Sequence, residues 1–132
     1  MPEYKVVKVF DVPDQAPNFG LRPDQFELRF LRNDLGCEDC GVSYERFGPG
    51  WKSTTGHRHK RQEEIYLLVS GRAQAKVGDD IVDLEPWTAL RVPPETVRLI
   101  RAVGDEDAVF VTVGAPNTGP GDGELVQDFW PD

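Results

Sequence analysis

Short stretches in which apolar and polar residues alternate are the dominant pattern along this chain. The alternation is strict over residues 25–32, where Phe26, Leu28 and Phe30 fall on one face. Residues 73–77 alternate in the same way, with small apolar side chains between polar ones. Successive side chains of a strand point to opposite faces, so these stretches predict strands with one buried face.

Other short runs predict further strands, separated by turn residues. The chain contains 13 Gly and 11 Pro, and no long run has the period of a helix. The sequence Gly78-Asp79-Asp80 predicts a tight hairpin turn. A loop or arm is expected at 11–24 and a turn region at 33–41. The predicted strands are Tyr4–Phe10, Gln25–Arg32, Val42–Phe47, Glu64–Val69, Ala73–Val77, Ile81–Leu84, Thr88–Val92, Thr96–Val103 and Ala108–Val113. Short strands at regular spacing indicate an all-β sandwich or barrel.

Length and charge narrow the class of protein. A chain of 132 residues predicts one domain with its own core. The formal net charge of -8 argues against nucleic acid or an anionic membrane as a partner. No apolar run approaches membrane-spanning length and no apolar signal region opens the chain, so we expect a cytoplasmic protein. Cys37 and Cys40 form a Cys-x-x-Cys pair, but a structural zinc site needs four ligands and no second pair exists.

The two histidines of the chain lie two residues apart. In a strand, His57 and His59 would therefore point to the same face. A polar turn follows, and the run beginning at Glu64 predicts a buried strand. A hairpin at this turn would bring Glu64 back to the histidines. Two imidazoles and a carboxylate are a ligand set for a divalent transition metal such as Fe, Ni, Mn or Zn.

The same stretch resembles the first motif of the cupins. That motif is a glycine, five residues, His-x-His, three or four residues, Glu, six residues and a glycine. Here four residues separate His59 from Glu64, and six more lead to Gly71, which selects Glu64 over Glu63. Six residues, one more than in the motif, separate Gly50 from the first histidine.

The resemblance implies a particular architecture. We expect an all-β, single-domain cupin-type jelly-roll barrel over residues 1–132, and a homodimer. The barrel core would span 42–113, with an N-terminal strand or arm at 1–41 and a C-terminal tail at 114–132. Phe129 and Trp130 are too apolar to remain in solvent, so the tail is expected to fold back onto the barrel or onto a partner subunit.

The second cupin motif is kept in spacing but mostly lost in residue type. That motif is a glycine, five residues, Pro-x-Gly, two residues, His, three residues and Asn. Here Trp87 stands at the first glycine position and Pro93 matches in type, whereas Glu95 replaces the second glycine. Arg98 stands at the histidine position and Ala102 at the Asn position. A guanidinium stays protonated and is not a metal ligand, so the ligand set falls to three side chains.

Two functions follow from these residues. In the first, His57, His59 and Glu64 hold a metal, and Arg98 anchors an anionic group of a small molecule. In the second, the protein is a metal-free binder of a sugar or a small carboxylate, in which Arg98 pairs with Glu64. A purely structural or interaction role is the third reading. Cupins include isomerases, dioxygenases, decarboxylases and non-enzymatic binders, so the resemblance leaves the reaction open.

A few further side chains are candidates for the same cavity. Tyr66 shares the face of Glu64 and would bring its hydroxyl toward a bound molecule, or would serve as an aromatic core residue. Trp51 would cover the mouth of the barrel near the histidines or simply one barrel end. Glu45 and Arg91 are candidates for inward positions, although nothing in the sequence singles them out.

Overall fold

The fold consists of two five-stranded antiparallel sheets packed face to face, as described by a computed structural model. The structure describes residues 3–119 and 121–131. Met1, Pro2, Pro120 and Asp132, which the expected arm and tail include, lie outside the described residues. The strands are β1 (Phe26–Phe30), β2 (Gly41–Phe47), β3 (Gly56–His59), β4 (Glu63–Ser70), β5 (Ala73–Val77), β6 (Asp80–Leu84), β7 (Ala89–Val92), β8 (Arg98–Ala102), β9 (Ala108–Ala115) and β10 (Gly123–Val126).

Strands that are distant in the sequence lie side by side in both sheets. Sheet A has the order β1-β2-β9-β4-β7, and sheet B has the order β10-β3-β8-β5-β6. All the pairings are antiparallel. This arrangement is the jelly-roll barrel that the sequence predicted.

The apolar core fills one end of the barrel. Phe110, Leu68 and Ala75 are fully buried between the sheets, and Phe47 packs edge-on against Phe110 with ring centroids 5.5 Å apart. Trp51 stacks on Phe47 at 6.4 Å and so closes this end. The predicted one-sided pattern is confirmed along β5, where Ala73 and Ala75 are buried. It was wrong along β1, where Phe30 is 48 % exposed and Glu27 is buried because it pairs with two arginines.

Two further local predictions were wrong. Residues 4–10 form no strand: within the described part of the chain this segment has no strand partner, and it leads into a 3₁₀ turn at Val9–Asp11, with Tyr4 and Val6 largely exposed. The strands β3 and β4 do not form a hairpin, because the turn between them carries the chain from sheet B to sheet A. The expected turn region after residue 31 also contains a single helical turn, α1 (Arg32–Leu35), which ends at Gly36 with a φ of 72°.

The residues after β9 return to the barrel. Strand β10 pairs with β3 along sheet B. Beyond it, the Arg101 guanidinium lies 4.0 Å from the ring centroid of Trp130 and donates to the backbone oxygens of Trp130 and Ser53. Trp130 is thereby 9 % exposed. No helix among the described residues has the length and apolar character to cross a membrane.

Candidate metal centre

Both histidines lie on the inner face of β3. The neighbouring residues of the strand point outward: Arg58 pairs with Glu124 at 3.0 Å on the surface. A Cβ atom added to Gly56 would lie 2.7 Å from the ring of Phe129, which packs on the outside. Strand parity therefore directs His57 and His59 into the barrel, and their rings meet at nearly a right angle with centroids 5.2 Å apart.

Glu64 enters the same space from the opposite sheet. It is the second residue of β4 and its side chain is 14 % exposed. The preceding residue, Glu63, points outward and pairs with Arg91 at 3.3 Å. The structure thus puts Arg91 on the surface and not inside the barrel. Although the predicted hairpin is absent, the crossing between sheets brings Glu64 to the histidines.

A single carboxylate oxygen is the meeting point of these side chains. Glu64 Oε1 lies 3.2 Å from His57 Nε2 and accepts a hydrogen bond from the Tyr66 hydroxyl at 2.6 Å. His59 Nε2 lies 3.3 Å from the same oxygen but makes no hydrogen bond, and it is buried. The ligand atoms of His57, His59 and Glu64 all lie within 4.8 Å of one another.

These contacts fix the charge of the carboxylate. Burial by itself would raise the pKa of Glu64, but the contacts with His57, His59 and Tyr66 outweigh it and hold the pKa well below its ordinary value. Contact with Glu64 in turn raises the pKa of His59, against the opposing effect of burial. Glu64 is therefore an anion at any physiological pH.

Arg98 points into the barrel and is 1 % exposed. Its terminal nitrogens face backbone carbonyls, those of His57 and Pro94 at 3.4 Å and that of Pro93 at 3.2 Å. Its Nε is buried without a hydrogen-bond partner and lies 3.9 Å from Glu64 Oε1. The fork of the guanidinium is thus directed at the backbone, and the Nε side faces the site.

Two interior polar residues lie near the site: Glu45, which was a candidate for an inward position, and Thr112, which the sequence analysis did not single out. Glu45 lies on the inner face of β2, opposite Phe110 and two residues beyond Ser43. Burial, followed by the charge of Glu64, raises the pKa of Glu45 to about 7. The hydroxyl of Thr112, which pairs in register with Tyr66, is buried without a hydrogen-bond partner. Alternation along β2 and β9 was the available signal for both positions.

Another residue that the sequence analysis did not single out lies in the tail. The Asp122 carboxylate is 3.1 Å from His59 Nδ1. No spacing rule links residues so far apart, so no sequence signal pointed to Asp122. Trp51, in contrast, lies with the core aromatic residues at the other barrel end and does not cover the histidines. Cys37 and Cys40 form no disulfide bond and lie half-buried in a loop.

The fold and the site together define a small jelly-roll barrel in which two imidazoles and one carboxylate converge, a donor set that could hold a metal ion. Comparison with protein families assigns this chain more specifically. The cupin domain pattern matches residues 43–114, and the chain belongs to the cupin family. Comparison with curated proteins gives no match.

Solved structures share the fold at low sequence identity. A cupin protein from Bacteroides fragilis has a TM-score of 0.70 at 22 % identity, covering 88 % of this chain and 86 % of that one. The Streptomyces protein PAC13, in a variant form with uridine, has a TM-score of 0.71 at 16 % identity, covering 97 % and 92 %. A putative sugar phosphate isomerase from Acidithiobacillus ferrooxidans has a TM-score of 0.63 at 20 % identity, covering 77 % and 76 %.

Cupins commonly bind a metal, and the residues here fit one. The donor set offers two imidazoles and an ionised carboxylate, which are ligands of divalent transition metals. His59 Nε2 is buried and lacks a hydrogen-bond partner, as expected of an atom that is free to coordinate. Within the described part of the chain, this is the one cluster of three His, Cys, Asp or Glu ligand atoms.

Proposed function

We propose that this protein holds a divalent transition metal through His57, His59 and Glu64 and binds a small, anionic molecule beside it. The observation that carries the proposal is the convergence of three ligand atoms within 4.8 Å, one of them the buried and unpartnered His59 Nε2. Fe, Ni, Mn and Zn all accept this ligand set. When bound, such an ion acts as a Lewis acid that polarises an oxygen of the ligand.

Tyr66 and Arg98 lie around the three ligands and have different roles. Tyr66 donates to Glu64 Oε1 and so orients the carboxylate, while its hydroxyl borders the space for a bound molecule. Arg98 supplies a buried positive charge through its Nε side, because its terminal nitrogens already face carbonyl oxygens. An anionic group beside Arg98 would gain from this charge in a low-dielectric interior.

Two structural relatives support a small polar molecule as the ligand. One is a protein determined with uridine, and another is a putative sugar phosphate isomerase. The unpartnered Thr112 hydroxyl and the Glu45 carboxyl add hydrogen-bonding capacity deeper in the barrel. A hydroxyl-bearing molecule that carries a phosphate or carboxylate would use both features.

Metal content tests the proposal directly. Wild-type protein purified without a histidine tag should carry about one equivalent of metal by mass spectrometry, and His57→Ala should carry none. Arg58→Ala is the matched control, because Arg58 lies between the two histidines but points outward to Glu124. A wild type that stays empty after reloading with each of the four metals under anaerobic conditions would overturn the metal centre.

A metal-free binding protein is the second candidate. It is favoured by the contacts of Glu64 Oε1, which lies near Tyr66, both histidines and Arg98 Nε, the last at 3.9 Å. The carboxylate therefore has partners without a metal ion. Calorimetric titration of chelator-treated protein with small carboxylates and sugars tests this candidate. Binding that persists without metal and disappears in Arg98→Met supports it, whereas binding that requires metal excludes it.

We also propose that the protein is a homodimer formed through the outer face of sheet A. Val111 lies at the centre of this face, paired in register with Tyr44 on one side and Leu67 on the other. Val111, Leu67 and Ile65 form a short apolar strip on this face, and Ile65 is 38 % exposed. Val111→Lys should therefore shift the mass measured by light scattering from dimer to monomer. Ile81→Lys, an exposed apolar position on sheet B, should leave the mass unchanged.

A further inference from the structure

The Cys-x-x-Cys motif lies in the loop that joins α1 to β2. This loop begins after Gly36, where α1 ends, and finishes at Gly41, the first residue of β2. Cys37 and Cys40 are both half-buried and form no disulfide bond, so each thiol is partly accessible to solvent. A small reagent in solution can therefore reach the pair without entering the barrel.

The backbone of the loop bends at both residues between the cysteines, Glu38 and Asp39. The N–H of Cys37 donates to the carbonyl oxygen of Arg32 at 3.0 Å, which fixes the start of the loop against the end of α1. Two successive bends turn the chain back on itself, as in a four-residue turn whose end Cα atoms lie within about 7 Å. A disulfide bond needs a Cα separation below about the same value.

Asn117, in the segment after β9, holds the loop in this bent form. Its Nδ2 donates to the carbonyl oxygens of Cys37 at 3.0 Å and Glu38 at 2.8 Å. Its backbone N–H donates to the carbonyl oxygen of Asp39 at 3.1 Å. Three successive carbonyls of the loop thus converge on one residue, and none of these hydrogen bonds involves a thiol. The separation of the cysteines is therefore set by the fold.

The two thiols are neighbours in this arrangement. Burial raises the pKa of Cys37, and the Cys40 thiol raises it further through its charge and a hydrogen bond, while Arg32 has a smaller, opposing effect. A hydrogen bond between two thiols acts only when the sulfur atoms are close. Because a raised pKa keeps Cys37 protonated near neutral pH, the resting form of the pair is the dithiol.

We propose that Cys37 and Cys40 form a reversible dithiol site, held in place by Asn117, at which low-molecular-weight disulfides oxidise the pair to an intramolecular disulfide. The thiolate of one cysteine attacks the small disulfide, forms a mixed disulfide and releases one small thiolate. The other cysteine then attacks the protein sulfur of the mixed disulfide, which forms the bond between the cysteines and releases the second small thiolate. The two thiol protons pass to the released thiolates. The cysteine pair loses two electrons, and the small disulfide gains them.

Intact-protein mass spectrometry after incubation with glutathione disulfide tests this reaction. These are the only two cysteines of the chain, so the wild type should lose the mass of two hydrogens and carry no glutathione. Cys37→Ser and Cys40→Ser should each gain one glutathione instead, because neither has a second thiol to release it. A wild type that retains glutathione or forms disulfide-linked dimers would overturn the proposal. A folded wild type that stays unmodified, while the same protein is oxidised in urea, would also overturn it.

Asn117→Ala tests the contribution of the fold. In buffers with defined ratios of glutathione to glutathione disulfide, its equilibrium ratio of disulfide to dithiol should be at least about threefold lower than that of the wild type. A loosened loop lowers the effective concentration of one thiol at the other. Thr118→Ala is the matched control, because Thr118 accepts from Arg32 Nη1 with its backbone oxygen and not with its side chain. A folded Asn117→Ala with the wild-type ratio would refute the role of Asn117. Neither readout depends on a metal in the barrel.

Discussion

Glu45 provides a quantitative test of the polar barrel interior. Its carboxyl lies on the inner face of β2, between the apolar end of the barrel and the row of side chains that contains Tyr66. Burial and the nearby charge of Glu64 raise its pKa from 4.5 to about 7. The native protein therefore binds a proton at Glu45 in a pH range where the unfolded chain does not.

The cost of ionising Glu45 follows from this difference. Because the native state binds more protons between pH 4.5 and about 7, the free energy of unfolding falls as the pH rises through this range. Above both values the loss amounts to about 3 kcal/mol. Between pH 5.5 and pH 8 it amounts to about 2 kcal/mol. Glu45→Gln should remove this loss, because glutamine stays neutral.

Urea denaturation at the two pH values measures the effect. Glu45→Gln should gain about 2 kcal/mol of stability relative to the wild type on going from pH 5.5 to pH 8. Ser43→Ala is the control, since Ser43 lies on the same inner face but does not titrate. If Glu45→Gln and the wild type keep the same difference in stability at both pH values, the Glu45 carboxyl is not buried as described.

Three further predictions concern single positions. Trp87 has a φ of 67°, which favours glycine, so the free energy of unfolding of Trp87→Gly should exceed that of Trp87→Ala by about 1 kcal/mol in urea denaturation. Equal stabilities of the two variants would rule out strain at this turn. Gly71→Ala should lose at least about 2 kcal/mol in the same assay, since its Cβ would lie 2.0 Å from the Asp107 carbonyl oxygen; an unchanged midpoint would contradict this contact. Arg98→Met should be less stable than the wild type by about 3 kcal/mol, because three backbone carbonyls lose their hydrogen-bond donor. The same variant should bind zinc at least about tenfold more tightly, because a positive charge beside the ion is removed. Weaker zinc binding would show that Arg98 does not repel the ion.

The convergence of the three candidate ligands was predictable because it depends on local rules. Two histidines separated by one residue on a strand share a face in any sheet, and the spacing to Gly71 distinguished Glu64 from Glu63. Gly71 has a φ of 80° and no room for a side chain, so this glycine marks a fixed point of the backbone. The path of the chain between β3 and β4 was predicted wrongly, because a short polar turn is compatible both with a hairpin and with a crossing between sheets.

The N-terminal segment and Asp122 show what local patterns leave out. Residues 4–10 have the composition of a strand, but a strand also needs a neighbour, and among residues 3–119 and 121–131 this segment pairs with none. Phe10 instead packs edge-on against Tyr44, with ring centroids 5.2 Å apart. Asp122 reaches His59 only because β10 pairs with β3, which is a fact of topology. Neither outcome is encoded in the neighbouring residues.

In the second cupin motif, two backbone positions are kept although the residues that usually occupy them have changed. Trp87 stands where the motif has glycine, and it adopts the left-handed conformation that favours glycine. Arg98, which stands where the motif has histidine, likewise occupies the inward position beside His57. The register of the motif therefore locates both residues correctly, while their chemistry differs. At the first position the difference costs conformational energy, and at the second it replaces a neutral metal ligand with a fixed positive charge. A bound metal would then depend on Glu64 for its nearest negative charge. Glu64, more than either histidine, therefore decides whether this site holds a metal or an anion.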